Sequence, residues 1–85
     1  MKTKSLVKMM TYKEITDFIL KHNNKFQLPT AEQAEMIDNT EHPSFWTSET
    51  LGDRKTVYHK KSQCYVRQHP MMKHYVVLIR REDED

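Results

Sequence analysis

Cysteine and glycine each occur once in this sequence of 85 residues, and no long apolar run separates its charged residues. A single cysteine, Cys64, excludes an internal disulfide and a cysteine-rich zinc site, a pattern typical of a reducing compartment. The opening residues never reach the apolar run of a signal peptide, and no stretch is long enough to span a bilayer. We therefore expect a cytoplasmic protein that does not enter a membrane.

Acidic residues are missing from the stretch 54–81, which carries eight Lys and Arg residues. The preceding stretch 26–53 carries six Asp and Glu residues and no Lys or Arg, so the chain is strongly dipolar although its net charge is only +2. A local basic surface attracts phosphates or an acidic protein surface. The alternative is that the basic segment only complements the acidic middle and tail within one fold.

Helix signals precede two segments. Thr11 and Glu14 form a capping-box pattern before a helix over residues 11–22, and Pro29-Thr30 with Gln33 predicts a second helix over about 31–38. Residues 39–54 are rich in turn formers, which indicates a structured loop that Phe45-Trp46 pins in place.

Three strands are predicted after this loop, because β-branched and aromatic residues alternate with charged ones in Thr56–Lys60, Gln63–Gln68 and His74–Arg81. We expect an α+β fold, with two helices packed on a three- to four-stranded antiparallel sheet. One domain would cover residues 1–81, and 82–85 would form an acidic tail.

Four short motifs occur in a recognisable order: Phe26-Gln27-Leu28-Pro29-Thr30, Glu32 in the next helix, Phe45-Trp46-Thr47-Ser48, and a closing Val76-Val77-Leu78-Ile79-Arg80. This order resembles a compact C-type-lectin-like module, specifically the bacterial and phage domains related to the formylglycine-generating sulfatase-modifying enzymes. The resemblance implies structural roles for Leu28, Pro29, Thr30, Phe45 and Trp46, and a scaffold for binding. Family members have Gly-rich loops that this chain lacks. The lone Cys64 cannot replace their paired or metal-bound cysteines, so oxidase activity is not implied.

The basic strands supply the candidate binding residues. If Cys64 and Val66 face the core, alternation places Tyr65 and Arg67 on the open face, and likewise Tyr58 and Lys60 if Val57 faces in. Met71-Met72, at the predicted turn, is either turn filler or an adaptable apolar contact. The full set of predicted partner-binding residues is Tyr58, Lys60, Lys61, Tyr65, Arg67, His69, Met71, Met72, Lys73 and Tyr75.

Other functions remain open. Three tyrosines can stack nucleic-acid bases while interleaved cations contact phosphates; these are Tyr58, Tyr65 and Tyr75, with Lys60, Arg67 and Lys73. A small metal-independent toxin that cleaves messenger RNA would use the set Arg67, His69, Lys73, His74 and Tyr75. A metal site is not expected, because the histidines of 54–81 have no carboxylate in their segment. Trp46 is either buried against the sheet or an exposed interface anchor.

These observations favour a non-enzymatic binding protein over the alternatives. By analogy with small intracellular regulators, many of them encoded by phages, we expect it to regulate or inhibit a larger protein that has an acidic surface. We expect no cofactor, no membrane partner and no small-molecule substrate.

Overall fold

Six strands and two helices make up the protein in a computed structural model, which describes residues 2–38 and 40–81. The elements in chain order are β1 (Thr3–Met10), α1 (Tyr12–Lys21), β2 (Phe26–Gln27), α2 (Ala31–Met36), β3 (Ser44–Leu51), β4 (Arg54–His59), β5 (Cys64–Gln68) and β6 (His74–Arg80). The strands form two antiparallel sheets, sheet I with the order β1-β6-β2 and sheet II with the order β3-β4-β5. The predicted acidic tail, 82–85, lies outside the described residues.

Both helices begin where their capping signals predicted. Thr11 Oγ1 accepts from the Glu14 N–H at 3.2 Å, and the Glu14 carboxylate accepts from the Thr11 N–H at 2.9 Å. Thr30 and Gln33 form the same reciprocal pair at 3.2 and 3.0 Å. Each box satisfies two N–H groups that a helix start leaves without an intrahelical partner. α2 ends at Met36, earlier than predicted, because Ile37 has an extended backbone.

The first strand, β1, was not predicted. Its sequence does not alternate, and it pairs with β6 from Thr3↔Ile79 to Met10↔His74. A bulge between Leu6 and Met10 leaves Val7 95% exposed. β1 thus forms because β6 provides an edge to pair with. The local sequence of β1 does not predict this pairing.

The prediction of a loop over residues 39–54 is wrong for Ser44–Leu51, which form β3. Phe45 and Trp46 are both fully buried, on opposite faces of the strand. A strand that is covered on both faces has no apolar–polar alternation, so its sequence does not read as a half-buried strand. The expected burial of the pair is confirmed, and the alternative of an exposed Trp46 is wrong.

The core lies on both sides of β6. On the side that we call the α1 side, Val76 and Leu78 join a cluster completed by Ile15, Leu28, Trp46 and Val57. On the opposite, α2 side, Val77 and Ile79 join a cluster completed by Ala34, Ile37, Phe45 and Tyr58. The α+β class is therefore confirmed, but with two three-stranded sheets instead of one. β6 pairs with β1 and β2 and does not join β4 and β5. No helix among the described residues is long and apolar enough to cross a membrane.

Candidate interaction surfaces

Tyr58 lies inside the protein, with 4% of its surface exposed. Its ring packs between those of Phe45, at 5.8 Å between centroids, and Tyr65, at 4.9 Å. The expectation that Tyr58 shares an open face with Lys60 is therefore wrong. β4 is the central strand of sheet II, and the two core clusters cover its two faces.

Tyr65 is half-buried on the same side. Its hydroxyl oxygen lies 2.9 Å from the Ala31 carbonyl oxygen and 2.8 Å from the Glu35 carboxylate, two acceptors for one proton. Burial and the bond to Glu35 raise the pKa of Tyr65 to about 12. The phenol therefore stays protonated near neutral pH and links β5 to α2. Alternation places Arg67 on this same face, where it is exposed.

Tyr75 is the third predicted stacking residue. Its ring stacks on His42 at 4.5 Å with an interplanar angle of 16°, and His42 Nε2 lies 2.9 Å from the Leu6 carbonyl oxygen. Each of the three candidate tyrosines thus has a ring partner within the fold. Tyr58 is too deeply buried to stack on a base, and one face of the Tyr75 ring is already covered by His42.

The cations of the basic segment do not share one face. Lys60 and Lys61 lie at the turn between β4 and β5, whereas Arg80 and Arg81 lie at the far end of β6, beside β2. Lys60 Nζ donates to the Thr40 carbonyl oxygen at 3.0 Å, and Lys55 Nζ lies 4.6 Å above the Tyr12 ring. Because both contacts are to uncharged groups, they leave the positive charges unneutralised.

Exposed methionines and cations meet at one end of the molecule. The backbone N–H of Tyr12 donates to the Pro70 carbonyl at 3.0 Å, and Met10 pairs with His74, so the end of β1 lies beside the turn 69–73. We call this the hairpin-end surface. It consists of Lys8, Met9, His69, Met71, Met72 and Lys73.

The tip of this surface is ordered and apolar. The backbone N–H groups of Met71 and Met72 donate to Nδ1 and to the carbonyl of His69, at 3.1 and 3.0 Å. The two side chains are nevertheless 68% and 52% exposed. The turn therefore holds two adjacent apolar side chains out in solvent.

Two lysines flank the methionines and lie close to the start of α1. The hydrogen bond from the Thr11 N–H lowers the pKa of Glu14 most, and the ammonium groups of Lys73 and Lys8 lower it further. Both ammonium groups therefore act on one carboxylate, Lys8 from β1 and Lys73 from the turn that precedes β6. The sequence predicted His69, Met71, Met72 and Lys73 here but missed Lys8 and Met9, because only the β1–β6 pairing brings them in.

The residues of the proposed ribonuclease set do not converge. His74 and Tyr75 are neighbours in β6 and so point to opposite sides, His74 towards Trp46 and Tyr75 towards His42. Within residues 2–38 and 40–81, no three His, Cys, Asp or Glu side chains come together in a way that could hold a metal ion. Cys64 is exposed.

An open groove of about 340 Å³ between α1, β2 and β3 was not predicted. Arg81 is its only charged lining residue, beside hydroxyl, amide and apolar groups. Its walls come from four separate segments, so no local sequence signal could have revealed it. The lining residues are Tyr12, Thr16, Ile19, Leu20, Asn24, Phe26, Gln27, Leu28, Thr30, Ser48 and Arg81.

No family model matches the chain, and neither a curated protein nor a solved structure matches it.

His74 is expected to make the fold sensitive to acid. Its Nε2 has no hydrogen-bond partner, and its ring lies edge-on to Trp46 at 5.2 Å. Burial, followed by the charge of His59, lowers the pKa of His74 below the ordinary value of 6.5. His74 therefore takes up a proton at a higher pH in the unfolded chain than in the folded one. The contribution of His74 to the free energy of unfolding is highest above about pH 6.5 and decreases as the pH falls below that value.

Urea unfolding at pH 7.5 and at pH 5.0 measures this effect. We expect His74→Phe to lose less stability between the two pH values than the parent protein does. His22→Gln, which changes an exposed histidine at the end of α1, should lose as much as the parent. An equal loss in the parent and in His74→Phe would show that another group causes the acid sensitivity.

Proposed function

We propose that this protein is a non-enzymatic binding module that regulates or inhibits a larger cytoplasmic protein by docking its hairpin-end surface on an acidic region. One observation carries the proposal: Met71 and Met72 are 68% and 52% exposed between His69 and Lys73 at an internally bonded turn. Large apolar side chains held in water favour a partner that covers them.

The chemistry of the surface fits a protein partner. Methionine is flexible and polarisable, so it adapts to irregular apolar pockets, and each square ångström buried contributes about 25 cal/mol. The lysines on either side supply charge complementarity, which speeds association and rejects basic partners. An acidic protein surface with an apolar centre matches both features.

The tyrosines support a protein over a nucleic acid. A single-strand binder presents its aromatic rings to the bases. Here the ring of Tyr58 is buried, that of Tyr65 packs against it, and that of Tyr75 stacks on His42. The apolar groups that do reach solvent at the hairpin end are methionines, which offer no flat ring for stacking.

We further propose that the fold is a minimal C-type-lectin-like one. In favour of this, the four motifs follow α1 in the expected order, with Leu28-Pro29-Thr30 leading into α2 and Val76–Arg80 inside the closing strand. Phe45-Trp46-Thr47-Ser48 lies in β3 instead of the predicted loop. On this proposal the chain is a scaffold for binding and inherits no oxidase chemistry.

The test is capture of a partner from host lysate on the tagged protein, with and without nuclease, followed by affinity measurement on the captured protein. Replacing Met71 and Met72 by serine and Lys73 by glutamate is expected to weaken binding at least about 100-fold, since a few central residues usually dominate an interface. The matched control is Lys61→Glu, which reverses an exposed charge at the β4–β5 turn and should leave the affinity within a factor of about three.

Two outcomes would overturn the proposal. Equal weakening by Lys61→Glu would mean that overall charge, not the hairpin end, governs binding. Loss of all capture after nuclease treatment, together with a steep fall of binding with salt, would instead assign the protein to nucleic-acid binding. Circular dichroism of each variant confirms that the fold is retained.

A further inference from the structure

The outer edge of β5 differs from the outer edges of β1 and β3. β1 is interrupted by a bulge after Leu6 and carries Lys4 and Lys8, and its Leu6 carbonyl oxygen lies 2.9 Å from His42 Nε2. Bulges and lysines are the usual means by which proteins prevent edge-to-edge pairing. β3, at the other edge of sheet II, lies against β6, and the Ser48 N–H donates to the Pro29 carbonyl at 2.9 Å.

β5 shows none of these devices along its length. It pairs with β4 in an unbroken register from Cys64↔His59 to Gln68↔Lys55, so its backbone is regular and extended throughout. It contains no proline or glycine, and Arg67 is its only charged residue. Val66, at its centre, is 36% exposed. Such a strand can accept another one along its outer edge.

The side chains of β5 favour one particular partner strand, the β5 of a second copy of this chain. If a second β5 runs antiparallel with Val66 opposite Val66, then Arg67 of each copy lies opposite Tyr65 of the other. The Tyr65 hydroxyl is bonded to Glu35, so each arginine arrives beside an aromatic ring and a carboxylate. Both are favourable partners for a guanidinium. A register centred on Arg67 would oppose two like charges, which is destabilising.

We infer that two copies of this chain associate through β5, antiparallel about Val66, and so join their sheets II into one sheet of six strands. Alternate residues of β5 direct their N–H and C=O groups to the outer edge, and in the dimer these groups bond to the other copy. The two exposed valines cover each other on the α1 side. β5 contains no residue of the hairpin-end surface, so this inference is independent of the proposed function. A dimer would present two hairpin-end surfaces to its partner.

Cross-linking tests the register. Residues directly opposite in an antiparallel pair have Cα atoms about 4.5–5.5 Å apart, within the range that a disulfide spans. Cys64→Ser/Val66→Cys should therefore form a disulfide-linked dimer under mild oxidation, seen on a non-reducing gel. In the parent protein the two Cys64 residues are four positions apart, about 14 Å, and should remain unlinked.

The matched control for cross-linking is Cys64→Ser/Val7→Cys, which places the thiol at a side chain that is 95% exposed on the bulged edge. It should give only the slow linkage of random collisions. Faster linkage through position 7 than through position 66, or efficient linkage of the parent through Cys64, would overturn the proposed register.

Sedimentation velocity over a concentration series tests the association itself. The parent protein should be dimeric, and Val66→Lys should raise the dissociation constant at least about 100-fold, because two ammonium groups would then face each other. Val7→Lys and the hairpin-end variants should associate as the parent does. A parent protein that is still monomeric at about 1 mM would overturn the inference, and partner capture by that monomer would leave the proposed function standing.

Discussion

Replacing Trp46 by alanine is expected to lower the free energy of unfolding by about 3–5 kcal/mol. The indole is fully buried, contacts Tyr12 and His74 edge-on, and donates from Nε1 to the Met10 carbonyl at 2.9 Å. It therefore joins the end of β1, the start of α1 and β6 to sheet II. A domain of this size has little stability to lose, so much of the variant should be unfolded at 37 °C.

Urea titration followed by far-UV circular dichroism measures this loss. Trp46→Phe keeps most of the buried ring but removes the Nε1 donor, so it should cost less than alanine while leaving the Met10 carbonyl without its partner. Met36→Ala, at a side chain that is 66% exposed, should change stability by no more than about 0.5 kcal/mol. A Trp46→Ala variant as stable as Met36→Ala would contradict the assigned role of the indole.

A buried hydroxyl pair is expected to produce the second largest effect. Thr47 and Thr56 are 0% and 1% exposed, and their hydroxyl groups contact each other across β3 and β4. Thr47 Oγ1 also accepts from the Glu49 N–H at 3.2 Å, and Thr56 Oγ1 donates to the Glu49 carbonyl at 3.2 Å. The pair thus satisfies backbone groups where β3 leaves its register between Trp46 and Thr50.

Valine has nearly the shape of threonine, so Thr47→Val and Thr56→Val remove a hydroxyl without leaving a cavity. Each single change should cost about 1–3 kcal/mol, because it strands a buried hydrogen-bonding group of the other residue or of Glu49. The double variant should cost less than the sum, since the two hydroxyl groups are then absent together. Urea titrations of the parent, the two single variants and the double variant form a double-mutant cycle. If the two losses of stability are strictly additive, the hydroxyl groups act separately.

What the sequence predicted of the fold was local, and what it missed depends on distant segments. Thr11 with Glu14, and Thr30 with Gln33, identify helix starts because each cap is complete within four residues. β1 and β3 were missed for different reasons. The apolar residues of β1 do not alternate with polar ones, and the buried half of β3 is covered on both faces.

The same limit applies to the candidate site. The prediction that Tyr58 is open assumed that β4 has a solvent face, but this strand is covered on both sides. The basic stretch was read as one surface, although strand reversals send its charges to different ends of the molecule. Met71 and Met72 were placed correctly at a turn, because the neighbouring turn residues are visible locally. Lys8 and Met9 required the pairing of β1 with β6.

β6 is the last element in chain order, yet it forms the wall between the two core clusters and pairs with both β1 and β2. During synthesis, β1 to β5 therefore leave the ribosome before the strand that completes either cluster. Contacts such as Thr3↔Ile79 join positions from opposite ends of the described chain, and closing them costs entropy before they stabilise anything. The growing polypeptide is expected to stay open, with apolar surface accessible to chaperones, until His74–Arg80 emerges and the whole domain folds at once.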